Sequence, residues 1–224
     1  MRFLALGDSY TIGQSVPVAE RWPEQLADSL EAYNYGVAEV EIIATTGWTT
    51  ANLTNALNAN SPDSNYTLVS LLIGVNNQFQ GRDIDQYGQD FGQLLYRAIA
   101  HAGGVRDHVF VLSIPDYAFT PFGGGNQTVT EEIDDFNALN REITEDLGVT
   151  YINMGDISRR GLDEPELVAS DGLHPSGLMY AEWVTRILDA AEIGEVVSVG
   201  DIKRAEPLNI YPNPCDGRFT IFGL

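Results

Sequence analysis

The stretch Arg2-Phe3-Leu4-Ala5-Leu6-Gly7-Asp8-Ser9-Tyr10 decides how the rest of the chain is read. Its apolar run is too short for the hydrophobic region of a signal peptide. It also lacks clean polar alternation, which suits a first strand buried on both faces. Gly-Asp-Ser then breaks the run with turn-forming residues. A serine at the end of a strand, ahead of a helix-prone segment, presents its hydroxyl above the sheet. The competing reading of the same residues is an ordinary strand-ending turn.

Four further runs share this character: Val40 to Ala44, Leu68 to Ile73, Val109 to Ile114 and Val149 to Ile152. Their β-branched content predicts strands covered on both faces. Between them, Glu20 to Tyr33 sets Trp22, Leu26 and Leu30 on one helical face. Thr50 to Asn60, Tyr87 to Ala102, Thr130 to Leu147 and Ser176 to Ala191 read as helices in the same way, and the acidic start Thr130-Glu131-Glu132 suits a helix N-terminus. Strands alternating with helices predict an α/β fold with a parallel sheet between helical layers. Ligands in such folds bind beyond the carboxyl ends of the strands.

Composition narrows the function. The 224 residues carry 32 Asp+Glu against 12 Lys+Arg, a formal charge of −20, which argues against a nucleic-acid partner because phosphates need a basic footprint. No run of eighteen apolar residues occurs, so no membrane span is expected. Lys203 is the only lysine. An acidic surface almost without lysine suits a saline medium, and equally an ordinary acidic protein. The single Cys215 permits no internal disulfide, and nothing in the chain specifies an oligomeric state.

Two more positions fall at strand ends, where the sheet would bind a ligand. Gly47, in Thr46-Gly47-Trp48 after the second strand, lets a backbone N–H approach closely. Asn76, in Gly74-Val75-Asn76-Asn77 after the third, offers a side-chain amide. Asp171-Gly172-Leu173-His174 places a carboxylate three residues before an imidazole, ahead of the last helix. That pair can take the Ser9 proton and stabilise the resulting imidazolium. Each piece alone is also a plausible turn or cap. His101 and His108 have no such partner in sequence and read as surface residues. No Gly-x-Ser-x-Gly elbow, His-Glu-x-x-His or paired-cysteine motif occurs, so no metal or cofactor is expected.

In this order and spacing the four pieces resemble the SGNH hydrolases, also called the GDSL esterase/lipase family, over roughly Met1 to Ala191. Tyr10 stands where the family usually has Leu, and Asn77 where Asp is more usual. The resemblance implies a three-layer α/β/α fold with a flavodoxin-like parallel sheet of about five strands. It implies Ser9 as nucleophile, His174 as base and Asp171 as orienting acid, with the Ser9 and Gly47 N–H groups and the Asn76 side chain as oxyanion hole. The expected activity is hydrolysis of small acyl esters: short-chain, lysophospholipid or acetylated-sugar esters. A non-catalytic surface carbohydrate-binding protein and an acyltransferase are the alternatives. Trp48, Phe79, Tyr117 and Phe119 are the expected pocket aromatics.

Residues 1–192 are expected to form the hydrolase domain and 193–224 a linker with a truncated β-rich segment. Leu208-Asn209-Ile210-Tyr211-Pro212-Asn213-Pro214, followed by Asp216-Gly217 and Phe219, resembles the start of a type IX secretion sorting domain. That implies a secreted or cell-surface protein that meets the type IX secretion machinery. An ordinary proline-rich β-tail is the plainer alternative.

Overall fold

The computed structural model describes residues 1–191. The segment with the sorting-domain resemblance, and the boundary at 192, lie outside the described residues. Five strands, β1 Arg2–Gly7, β2 Glu39–Ala44, β3 Leu68–Leu72, β4 Val109–Leu112 and β5 Thr150–Ile152, form one parallel sheet in the order β2-β1-β3-β4-β5. The order reverses between β1 and β3, which opens a crevice beyond their carboxyl ends.

The helices are α1 Ser9–Ile12, α2 Trp22–Ala32, α3 Thr50–Ala59, α4 Val75–Phe79, α5 Ile84–His101, α6 Gln127–Asp146, α7 Gly155–Ser158 and α8 Gly177–Ala190. The main ones fall into two packed groups that flank the sheet, α2 with α8 and α3 with α5 and α6. The predicted face of α2 is wholly buried: Trp22, Leu26 and Leu30 expose nothing. Phe3 of β1 packs on Trp22 and on Phe110 of β4, with ring centroids 6.0 and 6.5 Å apart. On α5, Tyr87 stacks obliquely on Phe136 of α6 at 4.6 Å.

Three expectations need correction: α6 begins at Gln127, capped by Asn126, so Thr130-Glu131-Glu132 is not its N-terminus and its first turn carries no acidic residue. β1, β3 and β4 are covered on both faces, whereas β2 and β5 are the sheet's edges and stay partly exposed. His101 is buried, not superficial: its Nδ1 lies 2.8 Å from the Asp63 carbonyl oxygen, so the end of α5 holds the loop before β3. The close approach of β1, α1 and β3 depends on Gly7. A Cβ there would overlap Thr11 Oγ1 and lie 2.6 Å from the Leu72 carbonyl oxygen. No helix among the described residues is long and apolar enough to cross a membrane.

Candidate active site

Ser9 opens α1 directly after β1. Asp8 caps that single turn, its Oδ1 accepting the Tyr10 N–H at 3.0 Å, and Gly13 closes it at φ 68°. The chain can therefore turn sharply off the sheet and leave Ser9 at the crevice. Asp8 itself is completely buried, and its Oδ2 has no hydrogen-bond partner among the described residues. Burial pushes its carboxyl up to about 7, opposed by backbone N–H groups of Tyr10 and Gly74.

The loops after β2 and β3 meet beside Ser9. Gly47 holds φ 84° with open space where a Cβ would sit, so its need for glycine is conformational rather than steric. Its N–H donates to no acceptor among the described residues. Asn76 Nδ2 donates to the Trp48 carbonyl at 2.9 Å, which ties the two loops together. A carboxamide nitrogen carries two hydrogens, so one remains for a ligand. Asn77 is buried and ties the base of α4 to Thr50 at the start of α3: its Oδ1 accepts the Thr50 N–H at 3.0 Å.

Asp171 and His174 share a short closed loop. Val168 and Pro175 form an antiparallel bridge, and the Ala169 N–H donates to the His174 carbonyl at 2.7 Å. Within the loop, His174 Nδ1 lies 2.6 Å from Asp171 Oδ2. An ionised carboxylate only accepts, so Nδ1 carries a proton, and in the neutral ring Nε2 is the nitrogen with the lone pair. Asp171 Oδ1 accepts the Leu173 and His174 N–H groups at 2.9 and 3.0 Å. Oδ2 also accepts the Ser15 hydroxyl at 2.6 Å. Burial pushes the Asp171 carboxyl up, but the hydrogen bonds from Ser15, His174 and Leu173 outweigh it and hold it well below the usual carboxylate range.

These segments enclose one cleft of about 140 Å³. Its lining is polar at Ser9, Thr46, Gly47, Asn76 and His174 and apolar at Tyr10, Val75, Phe79, Tyr117, Phe122 and Leu173. Phe79, Tyr117 and Phe122 make a triangle with all three centroid separations at 6.2 Å. Two expected pocket aromatics do not line the cleft. The Trp48 ring packs against the core, and only its carbonyl serves the site through Asn76. The Phe119 ring lies 6.0 Å from the Arg159 guanidinium carbon. Phe122, at the end of the same loop, does line the cleft, and its N–H donates to the Gly172 carbonyl at 2.9 Å. Leu173 also lines the cleft, and its position between the acid and the imidazole is the signal that could have found it. Among the described residues, no group of three or more His, Cys, Asp or Glu is placed to hold a metal ion.

One parallel α/β sheet thus brings Ser9, the Gly47 and Asn76 loops and the loop of Asp171 and His174 to a single crevice. Residues 5–182 match the model of the GDSL-like lipase/acylhydrolase family. The chain belongs to this family, and it is a serine ester hydrolase. No curated protein matches it. Among solved structures, Axe2, an acetylxylan esterase from Geobacillus stearothermophilus, superposes with a TM-score of 0.63 at 18% identity, covering 84% of this chain and 92% of that one. The acetyl xylan esterase AlAXEase gives 0.66 at 14% identity, over 85% of this chain and 99% of its own. The esterase EstA from Pseudoalteromonas sp., solved with monoethylphosphonate as inhibitor, gives 0.60 at 19%, over 84% and 94%. At these identities the likeness is one of fold.

Proposed function

We propose that the protein hydrolyses small acyl esters through an acyl-enzyme on Ser9. The observation that carries this reading is that Ser9 and His174 open onto one cleft while the His174 Nδ1 proton is engaged by Asp171. Nε2 is thereby left as the acceptor for the serine proton. Ser9 Oγ attacks the ester carbonyl carbon as Nε2 takes its proton. The carbonyl oxygen becomes an oxyanion received by the N–H groups of Ser9 and Gly47 and by the Asn76 amide. Collapse of the adduct breaks the bond to the alkoxy oxygen, which leaves with the proton from His174. Water then repeats the sequence on the acyl-enzyme and releases the acid.

Cleft size and lining support a short acyl group. A closed cavity of about 150 Å³ holds a benzene ring, so about 140 Å³ suits a group of similar bulk. The aromatic triangle gives that group, or the apolar face of an acetylated sugar, a surface to lie on. That two of the similar structures are described as acetylxylan esterases supports including acetylated saccharides among the substrates. The resemblance of residues 208–219 to a sorting segment supports export by the type IX route, which localisation of the full chain would test.

The decisive experiment is labelling with an organophosphonate, followed by mapping of the modified residue. Ser9 is expected to carry the adduct, and Ser9→Ala to lose both label and turnover. Turnover of p-nitrophenyl esters is expected to fall as the acyl chain lengthens, with acetylated xylan and lysophospholipid assayed beside them. Full activity in Ser9→Ala would overturn the reading. Glycan binding without labelling would favour the non-catalytic alternative.

A further inference from the structure

The loop that follows α1 makes more contacts with the site than its exposure suggests. It leaves the helix at Gly13, φ 68°, and passes through Ser15, whose φ of 69° is also left-handed. Among the described residues only Ser15 and Asn34 adopt such a φ without being glycine. Serine is an uncommon occupant of that conformation. Three hydrogen bonds radiate from this short turn. The Gln14 N–H donates to the Ser9 carbonyl at 3.0 Å. Gln14 Oε1 accepts the Thr46 hydroxyl at 2.6 Å. Ser15 Oγ donates to Asp171 Oδ2 at 2.6 Å, across 156 residues of chain.

We propose that Gly13–Val16 is a clasp joining three of the four segments of the site, with Ser15 and Gln14 as positioning residues. Ser15 holds the carboxylate of the acid, and Gln14 holds the loop that carries Gly47. The inference rests on the Ser9–His174–Asp171 reading above. Asp171 Oδ1 is fixed by N–H groups of its own loop, whereas Oδ2 receives only the imidazole and the Ser15 hydroxyl among the described residues. Ser15 is therefore the one outside contact that sets the rotation of the carboxylate, and with it the ring it orients. Because Gln14, Ser15 and Thr46 are all exposed, water can replace these bonds in an unfolded chain. Their net effect on folding is small, and their geometric effect on the site is what remains.

Ser15→Gly separates the two roles. It removes the hydroxyl while relieving the left-handed backbone, so thermal stability is expected to stay level or rise. Turnover of p-nitrophenyl acetate is expected to fall roughly tenfold in kcat with KM within about twofold. Ser15→Asn tolerates the backbone and supplies an N–H donor, so it should recover most of the loss. Gln14→Ala should lower kcat by a smaller factor, again without unfolding. A second arm needs no substrate: the far-downfield proton resonance of the His174 Nδ1–H should move in Ser15→Gly and return in Ser15→Asn. A folded Ser15→Gly protein with wild-type kcat and an unmoved resonance overturns the proposal. If the wild type neither turns over the ester nor takes a phosphonate label, the esterase reading fails, and the resonance alone decides whether Ser15 positions the pair. A collapsed Ser15→Gly fold would make Ser15 structural and count against the proposal unless Ser15→Asn restores fold and resonance together.

Discussion

Asn77 grips Thr50 from two directions. Its Oδ1 accepts the Thr50 N–H at 3.0 Å, while its Nδ2 donates to the Thr50 hydroxyl at 2.8 Å. That leaves the hydroxyl proton free for Asp90 Oδ2 at 3.2 Å, so donors and acceptors run in one direction through a buried contact. The family more usually has Asp at this position, but here a carboxylate would set two acceptors competing for one proton. Asn77→Asp is expected to destabilise the fold by about 1–3 kcal/mol at pH 8. Burial raises the pKa of the introduced carboxyl, so the loss should shrink as pH falls and the group becomes neutral. Urea melts at pH 5 and pH 8 check this, and an equal loss at both would refute the argument.

Asp8 gives a second dependence on pH. Its folded-state pKa of about 7 lies above the ordinary value of 3.8, so between these values the folded protein holds a proton that the unfolded chain has released. Stability from this group is full below about pH 4, falls by about 1.4 kcal/mol per pH unit up to about pH 7, and is then level. Asp8→Asn keeps the cap to Tyr10 and cannot ionise. The variant should match the wild type near pH 4 and melt above it at pH 8. Parallel melting curves across that range would remove Asp8 from the account.

Asn76 tests the oxyanion assignment. Asn76→Ala removes the amide that the proposed mechanism aims at developing charge, and it releases the Trp48 carbonyl. A fall of about 10²–10³ in kcat is expected, with a much smaller change in KM. If KM carried the effect instead, the side chain would be a ground-state binding group.

Arg159 holds the loop that builds the aromatic wall. Its Nε donates at 3.0 Å to Asp116 Oδ2, which is 1% exposed, while Asp116 Oδ1 caps the turn at Tyr117 by accepting the Ala118 N–H. Arg159→Ala leaves that carboxylate buried without its partner and should destabilise the protein by about 3 kcal/mol. Adding Asp116→Asn, which keeps the cap and removes the charge, should return much of the loss. Calorimetry on the single and double variants measures both effects.

Strand ends were the legible part of this chain. Five apolar runs mark the strands to within a residue or two, and Ser9, Gly47 and Asn76 all lie just beyond them, because a parallel sheet brings those ends to one edge. The single-turn helices α1, α4 and α7 escape a reading by periodicity, since four or five residues carry no repeat. The edge position of β2 escapes it too: Val40 to Ala44 has the composition of a central strand, and only the pairing order puts it outside. Trp48 and Phe119 show that an aromatic near the site does not announce where its ring points. Ser15 and Gln14 were invisible for a different reason. They are short polar loop residues whose importance lies wholly in partners 156 and 32 positions away.

The bond from the Phe122 N–H to the Gly172 carbonyl couples two tasks that a protein engineer would wish to keep apart. Phe122 belongs to the surface against which a substrate would rest, and Gly172 sits inside the four-residue unit that orients the imidazole. Enlarging the binding site by rebuilding residues 118–125 around Phe122 therefore pulls on His174, the proposed base, as well. Variants selected for bulkier esters should pay in turnover unless that one backbone link is preserved, which makes Tyr117 and Phe79 the safer places to begin.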